Sequence, residues 1–592
     1  MNTHIENLLE GYAPLEGLNQ DMPRILSVEE FTTPSEHIRI SCCFGDKAEH
    51  QFNIFLPPKE QWGGRFFQHT HPFLGLDALS EDLAFHFNSG AYSITVPPFT
   101  MGYLHQAAAA HVSRAIAKNY YGFEGKIYGY LYGGSGGSMQ SIGALEATTG
   151  LVWDGIIPFI TGAPVSMGNF DIRRFARAVL DEKGPLIADA LRPGGSGDVD
   201  AVLNNVEREV FKEVTKLGVP LKAWENYEYL FMAYEQPDLA ACLNATGEVD
   251  GGTETDEVKA ETRHANVGGE TDETYTKAFW NEPGYLASYT SALKDIFYSL
   301  RERGVSEGAL AKISYHRHKD PGAAYRTWEH LRGADGKPLY AQTTGKHHAY
   351  TSSAMASGGA LWSGKTNCKS IMVVNLMDAD AFPADGHYYH ERVKEMGRDK
   401  DFRIWLTENA DHHTKHDNHI PALDKRLINF NGILSQALMD LCAWVETGIA
   451  PPDSTSYKMV DGQLVITENI AERGGIQPVV ELTVNAAERA SVTLGDALTL
   501  SAKIQVPQGT GKIINVEWDF AGDGEFVSAE FSRLPDGSWE SDGNYTYNKE
   551  GVYYPQVRAT SQRAGDPGAS FTYIYNLGRA RVIVGGGGTG KK

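Results

Sequence analysis

The chain of 592 residues has few cysteines, a deficit of basic residues and no long apolar run. Its five cysteines form no C-x-x-C pair and are odd in number, so a disulfide framework is not expected. The net charge of −22 argues against a nucleic-acid partner, because phosphate binding requires clustered Lys and Arg. No segment reaches the roughly 18 apolar residues of a membrane span, so no membrane partner is expected.

The composition is that of a folded protein with more than one domain. Hydrophobic residues make up 42% of the chain and charged residues 22%, which is typical of globular proteins and excludes wholesale disorder. At about 100–200 residues per domain, the length corresponds to several domains. The N-terminus lacks the basic start and apolar run of a signal peptide, so the chain as written is expected in the cytoplasm.

Residues 1–164 alternate between predicted strands and helices. Segments 51–58, 65–70 and 126–134 are apolar, β-branched or aromatic runs bounded by turn residues, as in strands. Segment 107–122 has the apolar spacing of a helix and ends on a glycine. We therefore expect the first part of an α/β domain here.

The α/β pattern is interrupted by a long insertion. Helix-like stretches dominate 165–365, and the acidic segment 248–274 within it offers little to bury. Strand–helix alternation resumes over 366–450, where 369–378 and 401–407 are typical of strands. A helical lid inserted into one α/β domain is the simplest interpretation.

The C-terminal part of the chain has a different sequence pattern. Residues 475–585 show short alternating runs with Gly and Asp turns and almost no helical spacing. The length suits one immunoglobulin-like β-sandwich. The predicted fold class is thus α/β with a helical lid, followed by an all-β sandwich.

The segment YLYGGSGGSMQSIGA (130–144) contains G-x-S-x-G between a predicted strand and a predicted helix. In a nucleophile elbow the serine stands on a strained strand-to-helix turn, and small neighbours let that turn close. Ser135 satisfies the pattern, whereas Ser138 does not, because no glycine stands two residues after it. The backbone N–H of Gly136, at the helix start, would donate to a developing oxyanion.

An elbow serine requires an acid and a histidine later in the chain. Asp378 ends an apolar predicted strand, at the edge where acids of open α/β sheets lie. His412 opens the loop after the strand 401–407 and could reach back over the sheet. Nearby residues compete for these two roles, namely Asp380, Asp385 and His413.

The same histidine-rich loop permits a second chemistry. His412, His416 and His419 are spaced i, i+4 and i+7, which on a helix would place three imidazoles on one face for zinc. Asp411 and Asp417 could add oxygen ligands. A proline at 421, the polar composition and the lack of H-E-x-x-H disfavour this hypothesis, so neither a metal nor another cofactor is expected.

Four segments resemble the tannase and feruloyl esterase family. FNIFLPPKEQWGGRFFQHTHPFLG (52–75) is similar to its opening strands, and 117–164 shares its YYG, its Ser-x-Gly-Gly turn and its later G-A-P. MDADAFPADGHYYHERV (377–393) is similar to its acid segment, and FRIWLTENADHH (402–413) to its histidine segment. The resemblance covers only the α/β part, roughly 50–165 and 368–448.

The resemblance implies an α/β-hydrolase fold and a carboxylic ester hydrolase. It implies Ser135 as nucleophile, Asp378 as acid and His412 as base. That family usually carries a cysteine beside the serine and another beside the histidine, joined as a disulfide. Gly134 and His413 stand at those places, so this tether is absent.

A second departure from the family concerns the oxyanion loop. Gln68-His69-Thr70-His71 replaces its Gly-rich sequence, and no calcium loop is recognised in the insertion. We expect the second oxyanion donor to be the backbone N–H of His69 or Thr70, with Gln68 and His71 as further candidates for contact with substrate. Aromatic residues of the lid could also contact it: Trp224, Tyr227, Tyr229, Tyr234, Phe279, Trp280 and Tyr285.

The C-terminal region resembles the polycystic-kidney-disease-type β-sandwich module. The resemblance rests on VEWDFAGDGEF (516–526) and YTYNKEGVYYPQVRAT (545–560). Such modules commonly serve as spacers or adhesion modules on secreted enzymes, so secretion remains open beside a cytoplasmic location. Self-association through this domain is a further possibility.

We therefore expect a serine esterase acting on a small-molecule or polymer-linked ester, including aryl or phenolic-acid esters. Three alternatives stay open at the level of sequence. The same triad could hydrolyse a lactone or an amide. The 412–419 histidines could serve a metal-dependent hydrolase, or the protein could be a non-catalytic binding or adhesion protein.

Overall fold

A nine-stranded sheet forms the centre of the structure, a computed structural model. Its spatial order is β1-β2-β3-β5-β4-β6-β7-β8-β9. The strands are β1 Pro23–Phe31, β2 His37–Phe44, β3 Gln51–Leu56, β4 Arg65–His69, β5 Ala91–Thr95, β6 Tyr128–Ser135, β7 Gly155–Thr161, β8 Lys369–Asn375 and β9 Phe402–Thr407. The strands predicted at 51–58, 65–70, 126–134, 369–378 and 401–407 are confirmed.

The structure describes most of the chain before residue 233 and after residue 361, and most of the predicted lid lies outside the described residues. The described residues are 7–18, 21–46, 50–72, 74–97, 102–147, 150–162, 169, 172–173, 176–177, 179–232, 362–416 and 420–585, with two short paired strands, Lys319–Asp320 and Thr343–Thr344. The acidic segment 248–274 lies outside this part of the chain. The helical lid over 165–365 therefore stays a prediction.

The sheet changes from antiparallel to parallel along its width. Strands β1, β2, β3 and β5 pair antiparallel, whereas the pairs from β5 through β4, β6, β7 and β8 to β9 are parallel. Every residue of β7 is buried, while the edge strand β1 is largely exposed. Continuous apolar strands are expected where a parallel sheet is covered on both faces.

Helices cover the two faces of this sheet. They are α1 Ser80–Asn88, α2 Leu104–Tyr121, α3 Gly136–Glu146, α7 Pro383–Glu395 and α8 Asn431–Glu446, and the insertion adds α4 Gly184–Leu191, α5 Asn205–Lys216 and α6 Tyr227–Met232. Neighbouring residues of β8 alternate between two hydrophobic cores: Met372 packs with α2, α3 and α7, and Val373 packs with α8. This alternation follows from the two-residue period of a strand. The helix predicted at 107–122 is confirmed as α2, which ends at Gly122 with φ +59°.

The described start of the insertion is helical and has its own core. Helices α4, α5 and α6 and the 3₁₀ turn Leu221–Asn226 bury apolar residues such as Val210 and Trp224. Met377 and Phe382, which flank Asp378, belong to the same core, as does Leu423 from the later part of the loop that carries His412. This part of the insertion thus packs directly against the region around Asp378.

The C-terminal region consists of short strands around a separate core. A hairpin, β10 Tyr457–Val460 and β11 Gln463–Ile466, precedes it. The module contains β12 Val479–Val484, β13 Arg489–Thr493, β14 Ala497–Gln505, β15 Lys512–Asp519, β16 Val527–Ser528, β17 Ser532–Arg533, β18 Trp539–Thr546, β19 Gly551–Tyr553, β20 Gln556–Gln562, β21 Ile574–Arg579 and β22 Arg581–Gly585. They form three sheets, ordered β12-β14-β18-β17, β13-β22-β19 and β16-β15-β20-β21. An immunoglobulin-like sandwich of the polycystic-kidney-disease type stays a prediction.

Two sequence expectations concern cysteines and membranes. Cys42, Cys43, Cys368 and Cys442 are free thiols in the structure, and Cys242 lies outside the described residues. Among the helices that the structure describes, none is long and apolar enough to cross a bilayer.

Candidate active site

Ser135 ends the central strand β6 and is followed at once by helix α3. Its backbone has φ +53° and ψ −121°, a conformation that residues other than glycine rarely adopt. The turn therefore has the strained strand-to-helix geometry of a nucleophile elbow. The N-terminus of α3, which is the positive end of its helix dipole, lies at the serine. The first turn of α3 contains no acidic residue that would neutralise this positive end.

The glycines around Ser135 are required by close packing. A Cβ atom at Gly134 would overlap the ring of Phe159 on the neighbouring strand β7. One at Gly137 would overlap the backbone carbonyl of Thr70. The space beside Gly134 is thus filled by the aromatic ring of Phe159, so a residue with a Cβ atom does not fit before the serine without a shift of that ring.

Asp378 and His412 lie beyond the carboxyl ends of β8 and β9 and contact each other. The carboxylate is fully buried, and its two oxygens lie 3.0 and 2.9 Å from Nδ1 of His412. One oxygen also accepts the backbone N–H groups of Asp380 and Ala381, each at 2.8 Å. A carboxylate on Nδ1 places the imidazole proton there and leaves Nε2 as the proton acceptor.

The protonation of His412 is governed by this buried carboxylate. Burial alone would lower the pKa of His412, but the charge of Asp378 and its hydrogen bond to the ring raise the pKa to about 9. Asp380 and Asp411 add to this upward shift of the pKa. The imidazolium form is therefore strongly stabilised, as a base that transiently accepts a proton requires.

The alternative residues at this edge have other partners. Asp380 accepts hydrogen bonds from the guanidinium of Arg173 and from the hydroxyl of Tyr229. Nε2 of His413 lies 2.9 Å from the same hydroxyl. Burial alone would raise the pKa of Asp380, yet Arg173 and the neighbouring histidines lower that pKa to about 2. The structure thus pairs His412 with Asp378 rather than with Asp380.

The third competitor, Asp385, is also occupied. Its Oδ2 accepts a hydrogen bond of 3.1 Å from Nδ2 of Asn169, and the side chain is buried on helix α7. Neither Arg173 nor Asn169 was singled out in the sequence. Both come from the start of the insertion, and no local pattern links them to a loop some two hundred residues away.

The segment after β4 packs against the elbow and also lies near His412. Pro72 would lie 2.6 Å from a Cβ atom at Gly136. The pKa of His71 is lowered to about 4 by burial and by the positive charges of His69 and His412. His71 is thus close to both halves of the candidate site. In the part of the chain that the structure describes, no hydrogen bond joins Ser135 Oγ to His412.

One of the two oxyanion donors predicted in this segment, the backbone N–H of Thr70, already has a hydrogen-bond partner. The backbone N–H of Thr70 donates to the carbonyl of Tyr132 at 2.9 Å, and its hydroxyl donates to Gln140. This N–H therefore extends the β4–β6 ladder and is not available to an oxyanion in this conformation. His69 lies within β4, where it pairs with Tyr132. Gly136 is the first residue of α3, and its role as the other donor stays a prediction.

Two of the predicted substrate contacts are structural residues. Gln68 is fully buried, donates to Gln106 at 2.7 Å and accepts from the indole of Trp153 at 3.0 Å. Trp224 is fully buried among the rings of the insertion's core. Both are therefore corrected from candidate substrate contacts to core residues.

The remaining aromatic candidates differ in position. Tyr227 is partly buried on the insertion, and its ring lies 6.1 Å from that of Phe231. Tyr229 is buried against His413. Four aromatic candidates lie outside the described residues: Tyr234, Phe279, Trp280 and Tyr285.

A cluster of polar side chains formed by His69, Asp82, His86 and Tyr132 beside the elbow was not foreseen. Nδ1 of His69 lies 3.1 Å from Asp82 of helix α1, and its ring stacks on Tyr132 with 4.6 Å between centroids. The hydroxyl of Tyr132 lies 2.9 Å from Nε2 of His86. Asp82 stands in the first turn of α1, a segment for which the sequence analysis offered no functional signal.

Two of the histidines of the zinc hypothesis contact different carboxylates. His416 Nε2 lies 3.0 Å from Asp411 Oδ1, whereas His412 faces Asp378. Among the described residues, no three His, Cys, Asp or Glu side chains could together hold a metal ion. Asp417 and His419 lie outside the described residues.

A serine elbow and a carboxylate–imidazole pair at the carboxyl edge of a largely parallel sheet define the arrangement of an α/β-hydrolase. No family model and no curated protein matches the chain. Several solved structures do match, among them a feruloyl esterase, a tannin acyl hydrolase and a lipase.

Feruloyl esterase B from Aspergillus oryzae is 15% identical, with 75% of this chain and 91% of that chain covered and a TM-score of 0.35. Tannin acyl hydrolase from Aspergillus niger is 12% identical, with 80% and 92% covered and a TM-score of 0.34. Candida antarctica lipase A in its closed state is 9% identical, with 76% and 86% covered and a TM-score of 0.31. TM-scores of this size do not establish a shared fold, so the fold assignment rests on the sheet and the elbow.

Proposed function

We propose that this protein is a serine hydrolase that cleaves carboxylic esters through an acyl-enzyme on Ser135. The observation that carries the proposal is the left-handed φ of Ser135 on a strand-to-helix turn of the central sheet. The contact between Asp378 and His412, beyond the ends of two strands of the same sheet, supports it. The carboxyl ends of parallel strands share one edge, where a substrate can meet all three side chains.

In the proposed reaction, Oγ of Ser135 attacks the ester carbonyl carbon while Nε2 of His412 takes the hydroxyl proton. The imidazolium then gives this proton to the leaving alcohol as the carbon–oxygen bond of the ester breaks. Water attacks the acyl-enzyme, His412 takes its proton, and the acid leaves as Ser135 regains its hydrogen. Asp378 orients the ring and stabilises its charged form throughout.

The backbone N–H of Gly136 is proposed as one donor to the tetrahedral oxyanion. It follows the nucleophile and begins helix α3, so its hydrogen bond and the helix dipole act in the same direction. The second donor is proposed to be the backbone N–H of His69, as expected from the sequence, or that of His71, because Pro72 has no N–H. Neither Thr70 nor Gln68 is available for this role.

An aryl or phenolic-acid ester is the proposed substrate class. Aromatic rings line the strand ends next to the elbow: Phe159 packs over Gly134, and Tyr132 stacks on His69. The motifs shared with the tannase and feruloyl esterase family support the same class.

The test is fluorophosphonate labelling combined with turnover of a panel of aryl and alkyl esters. We expect the probe on Ser135, and we expect Ser135→Ala to abolish both labelling and turnover while the protein remains folded. Ser528→Ala, which changes an exposed serine in β16, is the matched control and should leave both unchanged. Activity that survives in Ser135→Ala would refute the proposal.

Other outcomes identify the alternatives. Turnover that resists the probe but is lost with a chelator would indicate a metal-dependent hydrolase. A panel that includes lactones and anilides separates these substrates from esters. A folded protein that neither reacts with the probe nor turns over any substrate would indicate a binding protein.

A further inference from the structure

The loop that carries His412 contacts the C-terminal β-module at both of its ends. This loop runs from Glu408, directly after β9, to Ile428, before helix α8. Its first residues hydrogen-bond to the chain leading into β12 and to β21, and its last turn hydrogen-bonds to β20. A module that served only as a spacer or for adhesion would not need hydrogen bonds to the loop that carries the proposed catalytic base.

The first attachment joins Glu408 to the side chain of Gln477. The backbone N–H of Glu408 donates to Gln477 Oε1 at 2.8 Å, and Gln477 Nε2 donates to the Glu408 carbonyl at 3.1 Å. The same amide group donates to the carbonyl of Tyr575 in β21 at 3.0 Å. Gln477 is buried, so these bonds are protected from water.

The second attachment joins Asn409 to β21. Nδ2 of Asn409 donates to Asn576 Oδ1 at 2.8 Å and to the carbonyl of Leu577 at 3.1 Å. Asn576 is buried and donates from its own Nδ2 to the carbonyl of Pro478 at 2.7 Å. Asn409 has φ +54°, a conformation that asparagine tolerates better than most residues.

The third attachment is at the far end of the loop. Gln556 Nε2 donates to the backbone carbonyl of Lys425 at 2.6 Å and to Asp519 Oδ2 at 2.8 Å. Asp519 also accepts the backbone N–H groups of Gly522 and Gly524, so the turn that follows β15 is folded around it. The residues of the W-D-F and G-D-G motifs thus support a contact with the histidine loop.

The same loop also forms hydrogen bonds to the segment that carries Asp378. The N–H of Met377 donates to the carbonyl of Ala410 at 3.0 Å, and Asn375 Nδ2 donates to the carbonyl of Asp411 at 2.7 Å. The three residues between Glu408 and His412 are therefore held between the central sheet and the C-terminal module. Small displacements here change the direction in which Nε2 of His412 points.

We propose that the C-terminal β-module positions the catalytic base, with Asn409 and Asn576 as positioning residues that act through His412. This inference rests on the proposed function, because it assigns to the module a role in that reaction. A displacement of about 1 Å in a catalytic group can lower the rate about 100-fold, so two buried hydrogen bonds at the base of the loop are sufficient to affect catalysis.

The test uses the full chain and three variants of this contact. Asn409→Gly removes the side chain while keeping a residue that accepts the positive φ. Asn409→Asp keeps the shape but directs a carboxylate at the oxygens of Asn576 and Leu577. Asn576→Ala removes the partner, and Asn544→Ala, on an exposed position of β18, is the matched control.

The expected result is a fall in kcat of about 10- to 100-fold in the three contact variants, with KM little changed. The pH at which kcat/KM rises should move toward the ordinary histidine pKa of about 6.5, because the contact with Asp378 loosens. The downfield imidazole proton of His412 should weaken in the NMR spectrum. The double variant Asn409→Gly/Asn576→Ala should be no worse than the poorer single one.

A merely structural role would lower the thermal midpoint without moving the pH profile or the imidazole proton. That result, or unchanged kcat in Asn409→Gly and Asn409→Asp, would overturn the inference. It would leave the proposed function intact as long as Ser135→Ala is inactive. Turnover in Ser135→Ala would instead refute the proposed function itself, so the two failures are distinguishable.

Discussion

Both carboxylate oxygens of Asp378 face Nδ1 of His412, at 3.0 and 2.9 Å, from a fully buried position. One of these oxygens also accepts two backbone N–H groups, so the carboxylate is oriented by its own loop before it meets the imidazole. The pair is thus preorganised, and its properties lead to specific expectations for activity and stability.

Asp378→Asn should abolish most activity while preserving the fold. The amide can hydrogen-bond to the ring but cannot stabilise an imidazolium, and it favours the wrong tautomer. A loss in kcat of about 10⁴-fold is expected from such a change in a serine triad. Steady-state kinetics test this, with Asp542→Asn on the exposed face of β18 as the matched control. Retention of kcat within about tenfold would contradict the role of Asp378.

Activity should rise with pH above the range usual for histidine enzymes. His412 must be neutral to accept a proton, and the buried carboxylate raises its pKa to about 9. We therefore expect kcat/KM to increase up to this region, measured as a pH–rate profile. If kcat/KM instead reached its plateau near the ordinary histidine pKa of about 6.5, the result would be inconsistent with a raised pKa of His412.

The same pair should make stability depend on pH in the opposite direction. Because the folded-state pKa of His412 is raised, the stabilisation is fully present below the unfolded value of about 6.5. It is lost as pH rises through the folded value of about 9. Urea unfolding across this window should show a decline in wild type that is smaller in His412→Gln. Equal declines in both proteins would argue against the shift.

Gly134→Ala should destabilise the protein through overlap with Phe159. The new methyl group meets an aromatic ring on the adjacent strand, and overpacking of this kind costs about 1–3 kcal/mol. Phe159→Leu in the same protein should recover part of the loss. Gly585→Ala is the matched control, because a Cβ atom there meets no atom within 4 Å. Additive losses in the double variant would show that the ring is not the cause.

Thr70→Val should lower stability more than it lowers catalysis. The substitution leaves the buried side-chain amide oxygen of Gln140, Oε1, without its donor, which costs about 1–3 kcal/mol in unfolding free energy. The variant keeps the backbone N–H of Thr70 and loses only a hydroxyl that donates to Gln140, so kcat should not show the roughly 100–1000-fold loss of a missing oxyanion donor. Thr70→Ser, which keeps the hydroxyl, is the control. A loss of that size in kcat for Thr70→Val alone would instead indicate that the Thr70 hydroxyl takes part in catalysis.

Some strands of the sheet could be predicted from their composition, and others could not. The runs that became β3, β4, β6, β8 and β9 are apolar, short and bounded by turn residues. Strand β7 is fully buried in the centre of the sheet although it contains Pro158, a residue that argues against a central strand. Burial against helices on both faces outweighs that local preference, and a single sequence does not reveal such burial.

The sequence by itself determined the elbow and the order of its partners. The glycines around Ser135, the strand before it and the helix after it are local features, and so is the loop that opens on His412. Only the tertiary structure decided which carboxylate meets the imidazole, because Arg173 and Tyr229, distant in sequence, occupy Asp380. It likewise brought Asn576 of the C-terminal module to Asn409. A local pattern reflects backbone geometry and burial, whereas the choice among neighbouring polar groups depends on partners that folding alone brings near.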